Sequence, residues 1–185
     1  MNKLKIIFVA AACSLAFAAA AQDTNILKTE IGRFENRTGA VIVKGFGQIG
    51  AVEAGMAEIS VRCKETTDTS SGRKLYGLAI EFKSNAFAPE RIYVDDDEID
   101  ALLAGLNYLV KITYDATALP GFEASYTTKG GLEVLANSVR KEGGIQFSVQ
   151  GNYSPRIPFS SMQMTQLYGL IGQARKNLDA IKSGK

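Results

Sequence analysis

The chain contains no histidine and only two cysteines among 185 residues. Without an imidazole, neither a Ser-His-Asp triad nor a Cys-His pair can be assembled. With so few thiols the usual zinc ligand sets are missing as well. An excess of one charge is also lacking, with 21 Lys and Arg against 19 Asp and Glu. No apolar run reaches the roughly 20 residues that a membrane-crossing helix needs.

The N-terminus carries the clearest local pattern. Lys3 and Lys5 precede an apolar run over residues 6–17, and Ala18-Ala19-Ala20-Ala21 follows it. A positive start, an apolar stretch of about 7–15 residues and an A-x-A site form a secretory signal peptide. Residues 1–21 are therefore expected to be removed before Gln22, leaving an exported protein, periplasmic or secreted. A second reading is lipidation at Cys13, after Ala10-Ala11-Ala12, which lacks the usual large aliphatic residue three places upstream.

Cleavage at Ala21 changes the chemistry. Lys3 and Lys5 leave with the signal, so 21 basic residues become 19 and balance the 19 acidic ones. A neutral chain with scattered basic residues has no stripe to neutralise phosphates, which argues against nucleic acid as a partner. Only Cys63 remains, so no internal disulfide is expected. It continues the alternation of Ala57, Ile59 and Val61 and reads as a small buried hydrophobe. The competing reading, a reactive thiol, lacks an activating histidine.

Period-2 alternation predicts antiparallel strands over residues 40–44, 56–64 and 78–83, with a glycine-rich link at 45–55, and a short strand at 91–94. Helical spacing follows over 96–112. The order then repeats: strands near 122–127, 132–136, 145–149 and 156–159, and a helix over 161–181. An ungapped offset of 65 pairs Ile80 with Ile145, Phe82 with Phe147, Arg91 with Arg156, Ile92 with Ile157 and Leu102 with Leu167. It also pairs Asp95 with Ser160 and Glu98 with Gln163, so each helix is expected to open with a capping box.

The expected fold is α+β: two antiparallel units of about four strands and one helix, residues 22–113 and 114–185, packed as one compact domain. This duplicated strands-then-helix order resembles the whirly and PUR-type single-stranded nucleic-acid-binding folds. The resemblance covers element order alone, with no sequence motif of either family. It implies single-strand binding, which export and the neutral mature charge disfavour.

Three motifs invite chemical readings. Gly45-Phe46-Gly47-Gln48-Ile49-Gly50 matches G-x-G-x-x-G but runs into another strand rather than a crossover helix, so glycines at a bend or bulge explain it better than a dinucleotide. Ser71-Gly72-Arg73-Lys74 spells S-x-x-K without its companion motifs and reads as a solvated hairpin tip. Asp95, Asp96, Asp97, Glu98 and Asp100 concentrate charge where a helix opens, which suits capping better than a calcium loop. Asn36-Arg37-Thr38 and Asn152-Tyr153-Ser154 match a glycosylation sequon, relevant only to a eukaryotic secretory route. No motif calls for a cofactor. The expected function is non-enzymatic binding of another protein, or of a small apolar ligand between sheet and helix. A carboxylate-dependent hydrolase or lyase using Asp95, Asp97 or Glu98 is the alternative; it requires two acids about 5–10 Å apart facing one pocket.

Overall fold

The computed structural model describes residues 28–139 and 144–184. The segment 1–21 expected to be a signal peptide, with Cys13, and Gly143 lie outside them. The order is α1 (Glu30–Glu35), β1 (Ile42–Ala54), β2 (Ala57–Asp68), β3 (Lys74–Ser84), β4 (Glu90–Asp95), a 3₁₀ turn (Asp96–Glu98), and α2 (Ile99–Val110). After a second 3₁₀ turn come β5 (Gly121–Thr127), β6 (Glu133–Val139), β7 (Gln146–Gln150), β8 (Ile157–Phe159) and α3 (Ser161–Lys182). The strands form two antiparallel four-stranded sheets, ordered β1-β2-β3-β4 and β5-β6-β7-β8, so the fold is α+β with two sheets.

Each helix covers the sheet of the other unit. Helix α3 lies along β1 and β2, where Cys63 Sγ approaches the Ala174 carbonyl and Leu170 sits over Gly50. Helix α2 lies on β5 and β6, with Tyr126 over Gly105, and the two helices touch each other. Leu102, Leu106, Leu167, Ile171 and Leu178 join Val61, Ile80, Val134 and Val149 in one buried cluster. Burial of that apolar area from both sheets at once is the main stabilising term.

Three expectations are corrected. The glycine-rich link at 45–55 is strand: β1 runs unbroken to Ala54, and only Gly55, at φ +63°, is needed to turn the chain. Extended backbone accepts glycine, and the ladder with β2 compensates for its low strand propensity. A register shift between Gln48 and Gly50 marks a bulge. Second, the hairpin registers do not follow the ungapped repeat. Ile92 opposes Ile80 while Ile157 opposes Val149, and Val94 opposes Leu78 while Phe159 opposes Phe147. The matches of Ile80 with Ile145 and of Phe82 with Phe147 are thus displaced by four residues, whereas Ile92 with Ile157 stands.

Third, the capping box exists at one helix only. At α3 the Ser160 hydroxyl accepts the Gln163 amide at 3.2 Å, and Gln163 Oε1 accepts the Ser160 amide at 2.7 Å. At the first helix neither Asp95 nor Glu98 makes a side-chain capping bond. The chain enters α2 through a 3₁₀ turn, and stronger demands elsewhere take both carboxylates. Asp95 accepts the Glu30 and Ile31 amides at 2.7 and 3.1 Å, capping α1 instead. Glu98 accepts the Lys129 amide at 2.7 Å.

Candidate functional site

Each of the five acids of 95–100 has a partner, with Arg175 shared by Asp96 and Asp100. Asp96 binds Arg175 at 2.9 Å and Lys182 at 2.7 Å, Asp97 binds Lys129, and Asp100 binds Arg175. Asp95 and Glu98 are turned to backbone amides; Asp95, Asp96 and Asp97 border one depression of about 280 Å³ beside Glu30 and Lys74, where each is held by a hydrogen bond or an ion pair. Among the described residues no cluster of three His, Cys, Asp or Glu side chains is positioned to hold a metal ion. Ser71 and Gly72 lie exposed at the β2–β3 hairpin tip, and Lys74 there pairs with Glu65 at 2.8 Å. Cys63 is free and buried, and burial pushes its thiol pKa up.

Glu98 is 8% exposed, and its second carboxylate oxygen has no partner. Burial raises its pKa against the lowering effect of the Lys129 amide and ammonium, with Asp95 and Asp97 adding to the rise. The folded state thus holds the proton more tightly than the unfolded chain, and this contribution to stability is present at low pH and lost as pH rises through the folded pKa. Glu98→Gln should therefore raise the melting temperature at pH 7.5 and leave it nearly unchanged at pH 4. Thermal scans at the two pH values check this, and an equal shift at both would refute it.

A charged centre that no sequence pattern announces lies on the face of the first sheet turned away from α3. Lys64, fully buried, places Nζ 2.6 Å from Glu35 Oε1, a close ion contact without the angle of a good hydrogen bond. Lys44 meets Glu35 Oε2 at 2.9 Å, while Thr66 and Tyr93 donate hydroxyl hydrogen bonds at 2.9 and 3.1 Å. The rings of Phe46 and Tyr93 cover the Lys64 ammonium at 4.2 and 4.7 Å. Burial acts on both groups. It lowers the Lys64 pKa, outweighing Glu35; at Glu35 it is overcome by Lys64, Lys44 and Thr66, and the carboxyl stays below its usual range. An amine that attacks a carbonyl needs an open approach, and Lys64 has none. The centre ties the six-residue α1 to the sheet, a helix too short to stand alone.

An exposed sheet edge lies beside it. Strand β1 is an edge of its sheet, and its residues 43–48 are exposed, including Val43 and Phe46. The Val41 carbonyl accepts the Thr69 amide, so odd-numbered backbone groups here face β2, while those of Ile42, Lys44, Phe46 and Gln48 point away from the sheet. Further along, α3 covers the edge: Gln166 and Gln163 donate to the Ala51 and Glu53 carbonyls at 3.0 and 2.6 Å. Among the described residues no such cover reaches 42–48.

On the α3 side, a depression of about 310 Å³ borders this bare segment, lined by Gly45, Gly47, Cys63, Tyr76, Leu178 and Ile181 among others. Neither glycine is required by the backbone. Neither has a positive φ, and a Cβ on Gly45 or Gly47 would meet its nearest neighbours at an ordinary 3.8 Å. What the missing side chains do is leave the depression open.

No protein-family model, curated protein or solved structure matches this chain. The likeness to whirly and PUR-type folds therefore stays one of element order. No helix among the described residues is long and apolar enough to cross a membrane.

Proposed function

We propose that this is a non-enzymatic binding protein of the cell envelope or secreted fraction, and that it takes an extended polypeptide segment as an added strand along β1. The observation that carries the reading is the bare edge at 42–48 beside a depression kept open by Gly45 and Gly47. Strand addition draws affinity from main-chain hydrogen bonds and selectivity from pockets that receive alternate side chains. Here the outward groups of Lys44, Phe46 and Gln48 supply the bonds, and the depression receives an aliphatic side chain between Gly47 and Ile181.

Two facts favour a polypeptide over a small apolar ligand and over carboxylate chemistry. The space between sheets and helices is filled by side chains such as Val61, Leu78, Leu167 and Ile171, all fully buried. The acids that border one depression, Asp95, Asp96 and Asp97, are already engaged with amides and cations.

A random heptapeptide display library panned against the mature chain tests the proposal. Enriched sequences should carry aliphatic residues at alternate positions, and their binding should slow amide exchange at Lys44 and Phe46. Gly47→Val fills the depression and should weaken binding more than about tenfold, roughly 1.4 kcal/mol, at unchanged melting temperature. Absence of enrichment against the chain in monomeric form, or binding indifferent to Gly47→Val, would rule the site out.

A further inference from the structure

We infer that the bare edge of β1 pairs with the same edge of a second copy of this chain, antiparallel about a two-fold axis through Gly45. The inference rests on the strand-addition reading of that edge and names its occupant. It is argued from self-complementarity, which a two-fold interface demands, because each contact occurs twice.

The outward backbone groups belong to even-numbered residues, so two such edges can exchange hydrogen bonds only where even faces even. With Gly45 opposite Gly45 of the second copy, Lys44 faces Phe46 and Ile42 faces Gln48 as hydrogen-bonded pairs. Val43 then faces Gly47. Val43 shares the α3 face with Gly45, Gly47 and Cys63, and it is 54% exposed in the single chain. Its side chain enters the depression of the copy, where a glycine leaves room and where Ile181, 45% exposed, gains apolar cover. On the opposite face the Lys44 ammonium comes beside the Phe46 ring, which is 41% exposed and already flanked by Lys64 and Arg91.

Neighbouring registers are worse. A shift of two residues one way sets Lys44 against Lys44, a like-charge pair on directly opposed positions. The opposite shift sets Gly45 against Gly47 and leaves both depressions empty. Helix α3 does not obstruct the pairing. It reaches the outer rim of β1 only near Ala51 and Glu53 and lies over Cys63 and Tyr76 by its C-terminal end. The result is a continuous eight-stranded sheet across two chains, closing an edge that would otherwise template uncontrolled pairing.

Cysteine cross-linking and mass in solution test this on the mature chain. Across a two-fold, Gly45 opposes itself in a pair without mutual hydrogen bonds, where Cα atoms lie about 4.5 Å apart, within disulfide range. Oxidised Gly45→Cys should run as a covalent dimer on a non-reducing gel. Val43→Cys alone should not, and a mixture of Val43→Cys with Gly47→Cys should form the heterodimer. By sedimentation the unmodified chain should be a dimer. Lys44→Pro removes one outward N–H that β2 does not use, and it should raise the dimer dissociation constant more than about tenfold, roughly 1.4 kcal/mol. Lys44→Ala, which keeps the N–H, should stay dimeric. A monomer at about 100 µM, or a dimer whose Gly45→Cys form does not cross-link, overturns self-pairing. If such a monomer still binds library peptides in a Gly47-dependent way, strand addition stands and only its occupant is wrong; if it binds none, both fail.

Discussion

Replacing Glu35 by leucine should cost about 3–5 kcal/mol of folding stability at pH 7, the range for removing one partner of a buried ion pair. The loss is large because Lys64 is fully buried and is left with an uncompensated charge beside Lys44 and Arg91, both of which oppose it. Thr66 and Tyr93 lose their acceptor in the same step, and α1 loses its tie to the sheet. The dependence on pH identifies the cause. Burial already depresses the Lys64 pKa, so the unfolded chain binds the proton more tightly, and stability rises with pH between the folded and unfolded values. Without Glu35 the folded value drops further and the window widens, so the variant should recover part of its loss between pH 7 and pH 10. Glu35 itself, with a lowered pKa, contributes stability above its unfolded value that is lost as pH falls through the folded one. Urea denaturation across pH 5–10 checks both limbs. The double variant Glu35→Leu with Lys64→Met should regain most of the loss, since no charge is then stranded. A penalty independent of pH, or a double variant no better than the single, would assign the cost to packing of α1 instead.

That centre also shows where the sequence stopped being readable. The alternation that predicted β2 correctly put Ala57, Ile59, Val61 and Cys63 on the core face. The other face reads Arg62, Lys64, Thr66, which as letters is an ordinary solvated strand face. What buries Lys64 is α1, only six residues long, one and a half turns in which no periodicity can register. Asp95 was misread for a related reason. Its place before a helix made it a cap, and in the fold it is a cap, but of a helix 65 positions away. Local spacing cannot tell a residue's own helix from one brought alongside by the sheet. The two-sheet architecture and the long terminal helix were legible because they rest on sustained period-2 and period-3.6 patterns. The exchange of helices between units was not, because both arrangements bury the same stripes. The glycines of β1 were legible in part: their motif reads as a bend or bulge, which the register shift between Gln48 and Gly50 bears out, while the opening that Gly45 and Gly47 leave beside Ile181 shows only in the structure.

The junction between the two sheets supplies the second large effect. Gly130→Ala should cost about 3 kcal/mol or more, at the upper end of what overpacking does, because a Cβ there would run into the Tyr93 carbonyl oxygen on β4. A side chain in that position could rotate away; the backbone of β4, hydrogen-bonded along β3, cannot. The turn from Thr128 to Gly131 is closed by hydrogen bonds of 2.9 Å from the Thr128 amide to the Leu132 carbonyl and 3.0 Å from the Gly131 amide to the Thr128 carbonyl. It moves as a unit, so displacing Gly130 also breaks the 2.7 Å bond from the Lys129 amide to Glu98 and the 2.9 Å bond from Asn152 Nδ2 to the Gly130 carbonyl. Nearby, the Glu90 carboxylate accepts the Asn152, Tyr153 and Ser154 amides, so the loop that follows β7 is held to β4 by that one side chain. Gly169→Ala provides the contrast. It is exposed in α3 with nothing within 4 Å of the added methyl, and it should gain up to about 1 kcal/mol from helix propensity. Equilibrium denaturation of the two variants tests the seating of one sheet on the other. If Gly130→Ala came within about 1 kcal/mol of the parent, the turn would have to be free to lift from β4, and the sheets would be joined through their shared helices alone.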